Sequence, residues 1–162
     1  EETVEVRVDY DPGAVGPEDL VEIIDGAGYE AVVGAGAGSY TPEVDFSDSH
    51  DVEWLSREGE DVEIAASYVP GKVTVFDFYA DWCGPCKEID REMHAILESS
   101  SDVALRKINV VDWETPVAKH YLKRVSGLPY VVVYDLRGKQ VAAIEGLDLE
   151  RLRKAIEKGR RR

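Results

Sequence analysis

Cysteine is nearly absent from this chain: two occur in 162 residues, together with one methionine and three histidines. Two cysteines so close in sequence cannot staple distant elements, which excludes a disulfide scaffold. A zinc site needs about four ligands, and His50, His94 and His120 are scattered, so no metal site is expected. Long apolar runs are missing too; none approaches the roughly 18–20 residues of a membrane-spanning helix. No basic-then-apolar leader and no initiating Met stand at the start, so Glu1 reads as a trimmed or processed beginning. Positive charge is scarce early on. The first 50 residues carry 13 acidic residues against Arg7 alone, whereas residues 51–162 carry 20 acidic and 18 basic. The net charge of −14 thus gathers at one end, which argues for two units and disfavours nucleic acid as a partner. The basic end at Lys158 and Arg160 to Arg162 reads as a solvated helix terminus.

What is present fits a globular protein: 44% apolar and 32% charged residues, enough for one domain of about 110 residues and a smaller unit. Thr3 to Tyr10 alternates like a half-exposed strand. Pro17 opens a helix with Leu20, Ile23, Ile24 and Ala27 on its apolar face, ended by Gly26 or Gly28. Tyr29 to Val33 is a further short strand. The stretch from Gly34 to His50 reads as linker; Asp45, Asp48 and Asp51 miss the ligand spacing of a calcium loop and are taken as solvated. Beyond it, strands and helices alternate. Strands are predicted at 52–55, 72–80, 103–110, 130–134 and 140–145. Helices are predicted at 61–68, 83–99 and 114–124, with a last one capped by Asp148. This order implies an α/β/α sandwich with a mixed central sheet.

Cys83 and Cys86 sit in Trp82-Cys83-Gly84-Pro85-Cys86-Lys87, between the strand 72–80 and the helix that follows. Unpaired N–H groups and the positive end of that helix stabilise the thiolate of the first cysteine, its nucleophilic form. The pattern points to thiol–disulfide exchange. Asp77 stands on a strand otherwise made of Val73, Val75, Phe76 and Phe78; an acid there is expected to be buried and able to take the proton from Cys86. Pro129 at the head of a buried strand is expected to be cis. Trp82 is expected to shield the dithiol, Trp54 and Trp113 to pack in the core or at an edge, and His94 and His120 to lie exposed and idle.

Four signatures in order resemble the thioredoxin family over nearly all of 51–162. They are Asp77 to Lys87, Lys107-Ile108-Asn109, Gly127-Leu128-Pro129, and Gly146-Leu147 before the last helix. The resemblance implies the thioredoxin fold, with Cys83 as attacking and Cys86 as resolving sulfur. It implies that Lys107 pairs with Asp77, and that Trp82, Gly84, Pro85, Leu128, Pro129 and Gly146 meet the substrate. Gly84-Pro85 matches the loop of the reducing members. Protein disulfides are the implied substrates and an upstream reductase or thiol donor the implied partner. No cofactor is implied, and the protein is expected to be a monomer. The compartment stays open between cytoplasm and bacterial periplasm. Two positions depart from the family pattern: Arg91 replaces a kinking proline, so the helix is expected to run straight, and Tyr130 follows Pro129, where it could narrow the substrate groove.

Residues 1–38 are similar to the second half of a heavy-metal-associated, ferredoxin-like domain, on Val8 to Pro12 and Gly26 to Ala31. The half carrying that family's Cys pair is not in this sequence. The chain is thus divided into a β-α-β segment at 1–38, a linker at 39–50 and a thioredoxin-like domain at 51–162. The alternative reading is a copper-handling adaptor or partner-binding module whose CxxC ligates a soft ion such as Cu(I).

Overall fold

The computed structural model describes residues 15–26, 44–46 and 50–161. It divides the chain into two compact units, Glu1–Pro42 and Glu43–Arg162. In the first unit, helix α1 spans Pro17–Gly26, as the proline and the apolar spacing predict. The two strands read at 3–10 and 29–33, and with them most of the heavy-metal-domain resemblance, lie outside the described residues.

The second unit is built on five strands: β1 (Val52–Ser56), β2 (Val73–Tyr79), β3 (Val103–Asn109), β4 (Tyr130–Tyr134) and β5 (Gln140–Glu145). Their order in the sheet is β1-β3-β2-β4-β5. The first three run parallel, and β4 and β5 join antiparallel. Helices α2 (Cys86–Ser99) and α4 (Leu149–Arg160) cover one face. There Ile89, Met93, Leu97, Leu152 and Ile156 pack on Val73, Val75, Leu105 and Val133. Helix α3 (Pro116–Tyr121) covers the other, where Val117, Ala118 and Leu122 join Phe76, Phe78 and Ile108. Both faces are covered, so β2 and β3 are buried almost throughout, as parallel strands require. Among the described residues no helix is long and apolar enough to cross a membrane.

Three helices are shorter than periodicity suggests. The segment read as a helix at 61–68 forms only a 3₁₀ turn, Ile64–Ala66. Glu63 caps that turn by accepting from Ala65 N–H, and the Tyr121 hydroxyl bonds Val62 O and Ile64 N. Helix α3 cannot start at 114, because Thr115 Oγ1 is bonded to Val110 O at 2.7 Å and Pro116 takes the first helical position. Helix α2 begins at Cys86, after the turn that holds Gly84 and Pro85, and it is one continuous helix through Arg91. Asp51 is not simply solvated: it pairs with Lys72 at 2.8 Å and Arg106 at 2.9 Å, tying the start of β1 to the sheet. Phe46 packs against the cluster under α2.

Candidate active site

Strand β2 ends at Tyr79, and the chain turns through Cys83 N–H donating to Ala80 O at 2.9 Å. Cys83 and Cys86 are joined in a disulfide, with their Cα atoms 5.4 Å apart. The backbone N–H of Cys86, the first residue of α2, points at Cys83 Sγ at 3.2 Å. An N–H with no carbonyl partner in its own helix therefore faces the first sulfur, the device expected at a helix start. Both cysteines are buried in this state, Cys83 at 4% and Cys86 at 2% exposure. The two cysteines thus differ little in exposure in the disulfide form. Gly84 and Pro85 are exposed above them.

Trp82 is 56% exposed, and its indole N–H donates to Val111 O at 2.6 Å. Val111 sits at φ 60, a costly conformation for a β-branched residue, held because Asn109 Oδ1 accepts its N–H at 2.9 Å. Trp113 corrects the sequence reading. It is not in the core; it is exposed, with its ring 6.5 Å from that of Trp82. Trp82, Val111 and Trp113 form an apolar rim beside the dithiol. The signal was present: Trp113 is flanked by Asp112 and Glu114, in a segment between strand and helix. Trp54 does pack at the sheet edge, donating to the Tyr79 hydroxyl at 3.2 Å.

On another side of the pair, the Leu128–Pro129 bond is cis, as expected. Leu128 packs on the cluster that contains both cysteines. Gly146 N–H donates to Pro129 O at 2.8 Å, and Gly146 has φ 74, which favours glycine there. Glu145 accepts from the backbone N–H and the hydroxyl of Ser126; those bonds hold its carboxyl below the usual range. The Tyr130 ring lies 5.6 Å from Phe78.

Below α2 is an ionic triad of two buried residues and a partly exposed one, Asp90. Asp77 and Lys107 are register partners on β2 and β3, 0% and 3% exposed, with Nζ 2.9 Å from Oδ2. Lys107 also bonds Asp90 of α2 and lies 4.2 Å over the Tyr79 ring. Burial alone would depress the Lys107 ammonium, but the charges of Asp77 and Asp90 and their hydrogen bonds outweigh it and raise it. Sequence reading found the pair but missed Asp90. It stands four residues after Cys86, on the same helix face, so one member of the triad sits on the helix that begins at the dithiol.

The histidines depart further from expectation. His50 and His94 are not scattered but adjacent, with ring centroids 5.2 Å apart. His120 is exposed, as read, yet not idle: it bonds Asp61 at 2.8 Å and stacks on Tyr121.

A family model for thioredoxin matches residues 60–158. The chain belongs to the thioredoxin family. It is 45% identical over 93 residues to thioredoxin of Neurospora crassa, which covers 52% of this chain and 69% of that protein. Among solved structures, a mutant thioredoxin from Halobacterium salinarum aligns with a TM-score of 0.50. That pair is 27% identical, over 70% of this chain and 95% of that one. Thioredoxin F from spinach chloroplast aligns at 0.52 and 20% identity, covering 71% and 98%, which bears on the fold alone. The thioredoxin family and the Cys83–Cys86 pair make this protein a thiol–disulfide oxidoreductase, and favour exchange over the copper-adaptor alternative.

Proposed function

We propose that the protein reduces protein disulfides, with Cys83 attacking and Cys86 resolving. In the dithiol form the Cys83 thiolate attacks one substrate sulfur. A Cys83–substrate disulfide forms, and the other substrate sulfur leaves as a thiolate that takes up a proton. Cys86 then loses its proton to the carboxylate system of Asp77 and Asp90 and attacks Cys83 Sγ. The second substrate thiol leaves and the Cys83–Cys86 disulfide forms, two electrons having passed to the substrate. An upstream reductase or thiol donor restores the dithiol. The observation that carries the reading is the Cys86 N–H held 3.2 Å from Cys83 Sγ, which stabilises that sulfur as nucleophile and as leaving group. The site is complete within one chain, which supports action as a monomer.

The apolar rim supports a protein as substrate rather than a small disulfide. Exposed tryptophans beside a reactive centre are anchors for a docking chain, and Leu128 flanks the same cluster just ahead of the cis Pro129. Trp113→Ala should raise KM for a protein disulfide about tenfold while leaving reduction of a small aromatic disulfide unchanged. Equal effects on both substrates, or none, would remove Trp113 from the substrate surface.

We assign the catalytic unit to 51–162, with 39–50 as linker and 1–38 as a separate piece that resembles half a heavy-metal-associated domain. No metal role falls to that piece, since residues 1–38 contain no Cys, His or Met and soft ions need such ligands. Because Phe46 and His50 pack on the catalytic unit, the informative truncation removes residues 1–42. It should keep full reductase activity and melting temperature; a large loss of either would show that the N-terminal piece belongs to the catalytic domain.

A further inference from the structure

Helix α2 carries a second group of chemically capable side chains away from the dithiol. His94 and Glu98 are four residues apart and share one helix face. His50, from the segment just ahead of β1, meets them there: its Nε2 is 2.9 Å from Glu98 Oε1, and its ring stands edge-on to that of His94. One nitrogen of each imidazole and one Glu98 oxygen all lie within 4.8 Å of one another.

The contacts of His50 leave one of its polar atoms unpaired. Its side chain is 4% exposed, and among the described residues its Nδ1 finds no hydrogen-bond partner. Buried polar atoms are nearly always paired. Phe46 flanks both imidazoles, 6.3 Å from His50 and 6.1 Å from His94, so the three ligand atoms converge beside an apolar wall.

We infer that His50, His94 and Glu98 bind one divalent transition-metal cation, with Zn(II) the best match to the donors. Two imidazoles and one carboxylate suit a borderline cation; calcium and magnesium prefer all-oxygen sets. Metal–ligand bonds of about 2.0–2.2 Å place tetrahedral ligands roughly 3.4 Å apart. Rotation of the His94 and Glu98 side chains closes the remaining gap, and a water takes the fourth position. No sulfur is used, so the site is independent of the redox state of Cys83 and Cys86. Bound metal ties the segment ahead of β1 to α2, the helix that begins at Cys86.

The test uses the full chain, stripped of metal by a chelator and kept in the disulfide form so that no thiolate competes. Calorimetric titration with Zn(II) should show one site, weakened about tenfold or more in both His94→Ala and Glu98→Gln and unchanged in His120→Ala. Glu98 is exposed, so Glu98→Gln decides the matter if His94→Ala disturbs folding. Co(II) should give the visible absorption of a tetrahedral site in the wild type and not in Glu98→Gln. The acidic surface of this chain also attracts cations. Binding that survives in both variants, or no saturation below millimolar Zn(II), overturns the proposal.

Discussion

Cys83→Ser should bring reduction of protein disulfides down to the uncatalysed background, whereas Cys86→Ser should accumulate a stable mixed disulfide with its substrate. The two outcomes differ because the sulfurs occupy different places on the same turn. Cys83 precedes the helix and receives the Cys86 N–H at 3.2 Å. Cys86 is the first residue of α2 itself. Without Cys83 no thiolate is stabilised by the helix start, and serine is too weak a nucleophile to replace it. Without Cys86 the attack still occurs, but nothing within the protein displaces the substrate from Cys83. Non-reducing electrophoresis with mass measurement distinguishes the two. A trapped adduct on the Cys83→Ser protein would reverse the assignment.

Lys107→Met should cost about 3–5 kcal/mol, because it leaves Asp77 buried beside an apolar side chain. At roughly 4 °C per kcal/mol for a domain of this size, the melting temperature should fall by about 10–20 °C. Asp77→Asn should cost much less. Lys107 keeps Asp90 as a partner in that variant, and asparagine can still accept a hydrogen bond. A buried acid without a cationic partner would make Asp77→Asn stabilising; the pairing with Lys107 removes that reason. The double variant should recover part of the loss, since it removes the fully buried Asp77 carboxylate and strips Lys107 only from the partly exposed Asp90. The pH dependence has a definite sign. Lys107 is raised by its carboxylate neighbours, so its contribution is complete below about pH 10.4 and is lost as pH climbs from there through the folded value. Urea midpoints near pH 7 therefore report the intact network. A Lys107→Met midpoint matching the wild type would mean that the triad contributes nothing net to stability. Exchange rates of Asp77→Asn measured alongside separate the proton-accepting role from the structural one: slowed resolution with near-normal stability is expected.

What the sequence made legible was local or strongly patterned. The strand into Tyr79, the CGPC turn and the α2 periodicity at Ile89, Met93 and Leu97 stand in one continuous stretch, so the dithiol could be placed on a helix start. The buried Asp77 could be read from its apolar neighbours, and Lys107 entered through the family resemblance. The remainder depends on contacts between distant segments. Asp90 gains meaning only when α2 is laid over the β2–β3 pair. Trp113 reads as packing until the Val111 turn places it beside Trp82. His50 and His94 are 44 positions apart, and no periodicity connects a residue ahead of β1 to the outer face of α2. The short 3₁₀ turn at Ile64–Ala66 reads as a longer helix for a similar reason: the Tyr121 hydroxyl, from another element, takes the backbone groups that a longer helix would use.

The central claim, that Cys83 is the attacking sulfur, is tested most directly on the reduced wild-type protein. A limiting amount of thiol alkylating reagent near neutral pH, followed by peptide mapping, reports which cysteine is the reactive thiolate. The helix-start geometry predicts label on Cys83 in clear excess. Label predominantly on Cys86 would contradict it.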